Sequence, residues 1–331
     1  MVLMTDSLVV TFPQEEKGRP YITEALQGAA DVVYLADLDD DRARAAALRG
    51  ATVLLARNTA KELRPHEPAL IERVKLIQFI NAGVDFVPLK VFDPAILIAS
   101  NGGAYAEPMA EHALAMVLAA AKRLLVEHEA LKRGEFNQGK RNRSLAGGVC
   151  GVLGFGGIGV ATARLMRALG MKIHAINRRG VSDEPTDWIG TPAGLDTMLK
   201  AADVLVISTP LTPATQGWIG ARELGLMKPD AILVNLARGE IVDEAALFAH
   251  LQANPRFDAC IDAWWIEPVR HGLFRMDFPF LSLPNVIGSP HNSASVPGTG
   301  ETGLRRAVAN IRRALAGETP LYLVGPADCM M

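Results

Sequence analysis

Little in this chain is available to brace it covalently or to hold it against a charged or lipid surface. It has three cysteines in 331 residues, Cys150, Cys260 and Cys329. Their odd number, wide spacing and lack of a CxxC pair argue against a disulfide framework and against a structural zinc site. They point to a reducing compartment, so a cytoplasmic location is expected. The 34 basic and 36 acidic residues nearly cancel to a net charge of -2, with no long run of one sign. A surface of that kind is not built to track nucleic acid or anionic lipid. The longest apolar stretch, 113–121, is closed by Lys122 and Arg123 and falls far short of the roughly 20 residues that span a bilayer. The opening MVLMTDSLVVTF has no basic segment ahead of an apolar one, and Asp6 arrives too early for a secretory signal. A soluble protein with no metal, membrane or nucleic-acid partner is expected.

The length suits two domains, each able to bury its own core. Short β-branched runs at 8–12, 32–35, 52–56, 76–80 and 96–99 alternate with helix-like segments, which reads as a βαβ series on a parallel sheet. A second series holds six strands, at 149–153, 172–176, 204–208, 232–235, 257–261 and 286–287, the number of a full dinucleotide-binding sheet. Between the two lies an Ala- and Leu-rich helical pattern over 106–132, expected to be one long helix. Met109, Ala113, Met116, Val117, Ala120 and Leu124 lie along one side of it. That stripe is expected to serve a homodimer, two-fold dimers being the commonest oligomers. After the last strand, 303–316 is amphipathic, with Leu304, Val308, Ile311 and Leu315 at helical spacing. Having no sheet of its own, it is expected to return to the first domain.

After the apolar VCGVLG comes GFGGIG, in which Gly154, Gly156 and Gly159 fit GxGxxG. Gly154 allows a tight turn, Gly156 lets a pyrophosphate approach the backbone, and Gly159 lets the helix pack on its strand. Gly157 and Ile158 open that helix, whose N-terminus faces the phosphates. A lone GxGxxG is a weak signal, but a strand before it, a helix after it and five further strands make it a strong one. The acidic ribose ligand of an NAD site is expected about 20 residues on, at the end of the next strand. Here that strand, KIHAI, runs into Asn177, Arg178 and Arg179. A neutral side chain removes the repulsion of a 2′-phosphate, and arginines bind one through charge-assisted hydrogen bonds. NADP is therefore the expected cofactor, with NAD possible. The alternative is a pair of solvated loop arginines.

Reduction of a 2-oxo acid needs a cation for the carboxylate, a proton donor beside the carbonyl oxygen, and a group that orients the donor. Arg238, in NLARGE after an apolar strand, has the planar fork that suits a carboxylate. Glu267, in DAWWIEP, and His291, in GSPHNSA, supply a carboxylate and an imidazole.

With NAGVD at 81–85, the 101–112 stretch ending AEHALA, GFGGIG, TPLTPAT, NLARGEIVDEAAL, DAWWIEP and SPH in this order, the chain resembles the D-isomer-specific 2-hydroxyacid dehydrogenase family along nearly its whole length. The resemblance implies hydride transfer between NADP(H) or NAD(H) and a small 2-oxo or 2-hydroxy acid such as glyoxylate or hydroxypyruvate. Arg238 would bind the substrate carboxylate, His291 exchange the proton, and Glu267 pair with the histidine. Asp262 would lie near the nicotinamide amide, backbone amides at Ala82 and Gly83 would complete the carboxylate pocket, and Pro210 and Ala237 would line the cofactor groove.

The family also contains formate-type enzymes, which lack the glutamate, and cofactor-binding corepressors, which keep the catalytic residues. Glu267 counts against the first. The second, a regulatory role, is the alternative together with a phosphoglycerate dehydrogenase-like enzyme, and turnover of glyoxylate or hydroxypyruvate separates enzyme from corepressor. About a dozen residues follow the last helix, too few for the regulatory domain some phosphoglycerate-oxidising relatives carry.

The fold expected is α/β: two Rossmann-like, doubly wound parallel-sheet domains, a dinucleotide-binding domain at 101–291 and a discontinuous flavodoxin-like substrate domain at 1–100 and 292–331. Three departures from relatives stand out. Asn177 replaces an acid; Cys150 stands in the first strand of the nucleotide-binding series as a buried small hydrophobe; and Trp264 and Trp265 replace smaller residues, one expected in the core and the other in the cleft.

Overall fold

The structure, a computed structural model, describes residues 5–14 and 17–331. The start of the amino-terminal stretch weighed above against a secretory signal, residues 1–4, lies outside them. The chain forms two compact units, one running to Tyr105 and resuming at Pro297–Met331, the other Ala106–Val296.

The first unit is built on β1 (Asp6–Val10), β2 (Ala30–Tyr34), β3 (Val53–Ala56), β4 (Leu76–Phe79) and β5 (Leu97–Ala99), in the order β2-β1-β3-β4-β5. Every pairing is parallel. β3 and β4 are buried at all four positions, as strands covered on both faces must be. This is the flavodoxin-like order. The connections include α1 (Gly18–Ala25), α2 (Asp41–Gly50) and the single turn α3 (Thr59–Glu62). The Asp40 carboxylate caps α2 by accepting from the Ala43 amide at 2.9 Å.

In the second unit, α4 (Ala106–Ala121) and α5 (Leu124–Lys132) precede β6 (Val149–Leu153), α6 (Gly157–Ala168), β7 (Lys172–Ile176), β8 (Trp188–Gly190), α7 (Leu195–Ala201) and β9 (Val204–Ile207). Then come α8 (Ala221–Leu226), β10 (Ile232–Asn235), α9 (Glu244–Ala253), β11 (Asp258–Ile261), the short α10 (Pro268–His271) and β12 (Val286–Gly288). The sheet is wholly parallel in the order β12-β11-β10-β9-β6-β7-β8. Its two halves diverge between β6 and β9, and that switch point is where doubly wound sheets take ligands.

The last helix, α11 (Thr299–Leu315), belongs to the first unit, as its stripe predicts. Leu304, Val308 and Ile311 are 4%, 0% and 0% exposed, within the core that holds Leu8, Val10 and Leu76. The buried Asn310 donates to Gln78 Oε1 of β4 at 2.6 Å.

Four expectations are corrected. The sheet of the second unit has seven strands where six are expected; the extra one, β8, is a three-residue edge strand on β7. The helix over 106–132 is two helices, because Arg123 turns left-handed at φ 54°. Its stripe is mostly spoken for: Met109, Ala113, Met116, Val117 and Ala120 are at most 8% exposed, on a helix packed against α6, β10 and β11 of its own unit. Only Leu124, at 58%, is exposed. The unit boundaries also fall at 105/106 and 296/297. Asn101 is held in the first unit by bonds from Nδ2 to Ile80 O and Gly303 O, and Tyr105 by a bond to Ile80 O. At the other end, the Asn292 and Ser293 amides donate to Asp262.

Candidate active site

The glycine turn leaves β6 at the switch point. Gly154 takes φ +100°, and a Cβ there would stand 2.5 Å from Thr209 N and 2.7 Å from Ser208 C, backbone that cannot yield. Ser208 Oγ donates to Gly154 O at 2.8 Å, fixing the turn to the segment that follows β9. At Gly159 a Cβ would meet Gly154 O at 2.4 Å, so α6 can start this close to its strand only with glycine. Gly156 differs: a Cβ there would meet nothing within 4 Å. Its φ of -100° suits any residue, so what glycine supplies there is space.

Space for a ligand lies where α6 presents its first-turn amides, with no acidic residue in that turn and no side-chain cap. Gly157 and Ile158 carry two of those amides. An uncapped helix N-terminus with a vacant flank fits a pyrophosphate, so the chain's own geometry accommodates a dinucleotide here.

At the end of β7 the Asn177 side chain is used locally. Its Oδ1 accepts from the Arg179 and Gly180 amides at 3.0 and 2.7 Å, and its Nδ2 donates to Val181 O at 2.8 Å. It therefore shapes a loop on which Arg178 and Arg179 are exposed. Pro210 is exposed beyond β9, with its carbonyl accepting from Thr215 Oγ1 at 2.7 Å, and Ala237 is half-buried beyond β10.

Three neighbouring strands, β10, β11 and β12, deliver the remaining polar groups at their carboxyl ends. Glu267, on the segment after β11, is 7% exposed, and both its carboxylate oxygens lie 2.8 Å from His291 Nδ1. Its Oε1 also accepts from the Trp264 amide at 2.7 Å. Burial alone would raise the Glu267 pKa; the bond from His291, that ring's charge, the Trp264 amide and Arg238 outweigh burial and hold it below the ordinary value. A carboxylate so placed fixes the proton on Nδ1 and leaves Nε2 for proton exchange.

Arg238 follows β10, half-buried, with its Nη1 donating to Ala237 O at 2.7 Å. Asn235 shapes its turn, donating to Arg238 O at 2.9 Å and accepting from the Ala237 amide at 3.1 Å. The next residue, Gly239, carries information the sequence did not reveal. A Cβ there would stand 2.4 Å from Trp264 C and 2.5 Å from Trp265 N. That glycine lets the Arg238 turn lie directly on the strand of chain leading to Glu267.

Asp262, wholly buried, turns its carboxylate to the segment that carries His291. Oδ1 accepts from Ser289 Oγ at 2.5 Å and from the Asn292 amide at 3.2 Å, and Oδ2 from the Ser293 amide at 3.3 Å. His291 sits among these bonds at φ 50°, a conformation that costs energy and persists where its surroundings impose it. Ser293 Oγ is buried without a hydrogen-bond partner beside this carboxylate, which leaves a polar atom for a bound group.

Of the two tryptophans, Trp264 is the core residue, 4% exposed, with Nε1 donating to Ser289 O at 2.8 Å. Trp265 is half-buried, stacked on Phe280 at 5.2 Å and donating to Val242 O at 2.7 Å. Cys150 is fully buried and desolvation pushes its thiol up to about 12, so it is a packing residue. Ala82 and Gly83 stand in the first unit, half-buried just beyond β4, where Asn81 O accepts from the Asn101 amide at 2.8 Å.

A glycine turn and bare helix N-terminus at the switch point of a seven-stranded parallel sheet, with a carboxylate-oriented imidazole beyond the edge strand β12 of the same sheet, define a dinucleotide-binding α/β protein equipped for proton transfer. The chain belongs to the D-isomer specific 2-hydroxyacid dehydrogenase family, whose NAD binding domain matches residues 114–293. It is 31% identical to D-3-phosphoglycerate dehydrogenase of Methanocaldococcus jannaschii over 82% of this chain, but spans only about half, 51%, of that relative. It is 32% identical to glyoxylate/hydroxypyruvate reductase B of Enterobacter agglomerans, over 77% of this chain and 79% of the relative. A D-isomer specific 2-hydroxyacid dehydrogenase from Xanthobacter autotrophicus Py2, solved with NADPH and MES, is 25% identical. It has a TM-score of 0.78 and covers 97% of this chain and 98% of its own.

Proposed function

We propose that the protein is an NAD(P)-dependent reductase of small 2-oxo acids, glyoxylate or hydroxypyruvate being the representative substrates, and that it prefers NADP(H). The observation that carries this reading is the His291–Glu267 pair, fixed through Nδ1 at 2.8 Å in the same unit as the glycine turn. NAD(P)H, when bound, would supply a hydride for the carbonyl carbon. Gly154, Gly156, Gly157, Ile158 and Gly159 would hold its pyrophosphate, Arg178 and Arg179 its ribose phosphate, and Pro210, Ala237 and Asp262 would flank the rest.

Arg238 clamps the substrate carboxylate and polarises the carbonyl. The proton on His291 Nε2 passes to the carbonyl oxygen as it gains electron density, and the ring keeps its Nδ1 proton toward Glu267. In the opposite direction the neutral ring accepts the proton of the 2-hydroxyl group.

The NADP preference rests on the neutral Asn177 and the two arginines beside it, and the NADPH bound to the Xanthobacter relative is in keeping with it. The reductase names of relatives such as the Enterobacter protein support the substrate class. We place the protein in the cytoplasm on its three unpaired cysteines; no helix among the described residues is long and apolar enough to cross a membrane. As its oligomeric state we propose a homodimer. Its apolar surface lies on α5 and just beyond, where Leu124, Leu125, Leu131 and Phe136 are 58%, 50%, 55% and 77% exposed. The deciding experiment is steady-state turnover of a panel of 2-oxo acids, 3-phosphohydroxypyruvate included, with NADPH and with NADH. Cofactor binding without turnover of any of them would instead favour a regulatory role.

A further inference from the structure

His112 lies on α4, 177 residues before the serine it contacts, and neither the glycine turn nor the acid–base pair uses it. Its Nε2 is 2.9 Å from Ser289 Oγ and 3.7 Å from Asp262 Oδ1, so the serine bridges the two. A serine hydroxyl has one proton to give. Ser289 spends it on Asp262 Oδ1, so its oxygen must accept from His112 and the histidine carries its proton on Nε2. The chain of donors therefore runs one way, from His112 to Ser289 to Asp262.

The receiving carboxylate is wholly buried and also holds the Asn292 and Ser293 amides. The Ser289 amide donates to Ile261 O at 2.9 Å, and Ser289 O accepts from Trp264 Nε1. The backbone on both sides of His291 is thus gripped by one acidic group. The hydroxyl through which it grips the upstream side is aimed from α4.

We infer that His112 is a positioning residue for the acid–base histidine, acting through Ser289 on Asp262. This rests on the reductase reading only for its kinetic consequence. His112→Leu keeps the bulk and removes the donor, whereas His112→Gln places an amide N–H near the position of Nε2. Ser289→Ala removes the bridge without touching the helix, and so reports even if His112→Leu folds poorly.

With the best 2-oxo acid, His112→Leu and Ser289→Ala lower kcat by about ten- to a hundredfold, the order expected when a reacting group is misplaced by an ångström or less. KM for the acid and the Kd for NADPH hold, and His112→Gln stays near wild type. Hydrogen–deuterium exchange needs no turnover: the amides of residue 289 and of 291–293 exchange faster in His112→Leu and Ser289→Ala, and at the wild-type rate in His112→Gln. Unchanged kcat and exchange in both damaging variants would overturn the inference, and so would a His112→Gln variant as impaired as His112→Leu. If the wild type reduces none of the acids, the reductase reading fails, and the exchange pattern alone decides the role of His112.

Discussion

Glu267 meets His291 through Nδ1, 2.8 Å from each carboxylate oxygen, and thereby leaves Nε2 for the proposed proton exchange. Replacing the ring should cost turnover and little else. We expect His291→Gln to lower kcat by roughly 100- to 10,000-fold, the usual worth of a positioned proton donor. NADPH affinity, read by fluorescence titration, should hold. A variant keeping more than about a tenth of wild-type kcat would remove His291 from that role.

The same pair sets an acid limit. The Glu267 pKa is lowered in the folded protein, so the stability it contributes is complete above the unfolded carboxylate value and is lost as pH falls through the folded one. Thermal denaturation between about pH 6 and pH 3 should show Tm declining in the acid range, below the ordinary glutamate value near 4.3. Glu267→Gln should flatten that decline. An identical acid profile in the variant would show that other carboxylates control it.

Gly239 is the cheapest place to separate Arg238 from Glu267. A Cβ there would overlap the Trp264 and Trp265 backbone at 2.4 and 2.5 Å. Gly239→Ala should therefore destabilise by about 1–3 kcal/mol, the usual penalty of overpacking. It should also raise KM for the 2-oxo acid, as Arg238→Ala does more steeply. A variant with wild-type Tm and KM would mean that the two segments part without consequence.

The Asn177 loop bears on cofactor choice. Replacing Arg178 and Arg179 with alanine should erase most of an NADPH preference of about ten- to a hundredfold in kcat/KM, discounted for solvent at an exposed site. NADH use should survive. Asn177→Asp keeps the oxygen that accepts from Arg179 and Gly180 but faces the Val181 carbonyl with a charge in place of a donor. It should shift preference toward NADH. Wild-type protein that favours NADH would defeat the proposal outright.

Light scattering tests the homodimer directly. A chain of 35.5 kDa should run at twice that mass, and Phe136→Asp with Leu125→Asp should return it to the monomer. A wild-type monomer at micromolar concentration would refute the pairing.

The glycine turn was legible because each glycine answers a local demand, for an unusual φ, for vacant space or for close packing. The amphipathic return of α11 was legible because its stripe has one period and no competing partner. β8 escaped notice since three residues at a sheet edge give no alternation to read. The break after α4 escaped because Arg123 enters the left-handed region without a glycine or proline to announce it. The stripe on α4 misled because an apolar face looks the same whether its partner is another chain or, as here, α6 and the sheet behind it. Ser289 and His112 were out of reach for a different reason: their link to Asp262 joins positions far apart in the chain, and each residue type alone is unremarkable.

The grip of Asp262 on 289–293 also fixes what can be transplanted. A designer who wished to move this histidine into another sheet, or to exchange its loop for that of a relative, would be moving less than the functional piece. The portable module is the loop together with the end of β11 and the helix that carries His112. Chimaeras cut between β11 and β12 should inherit the imidazole without its bearing, whereas those cut ahead of α4 should inherit both.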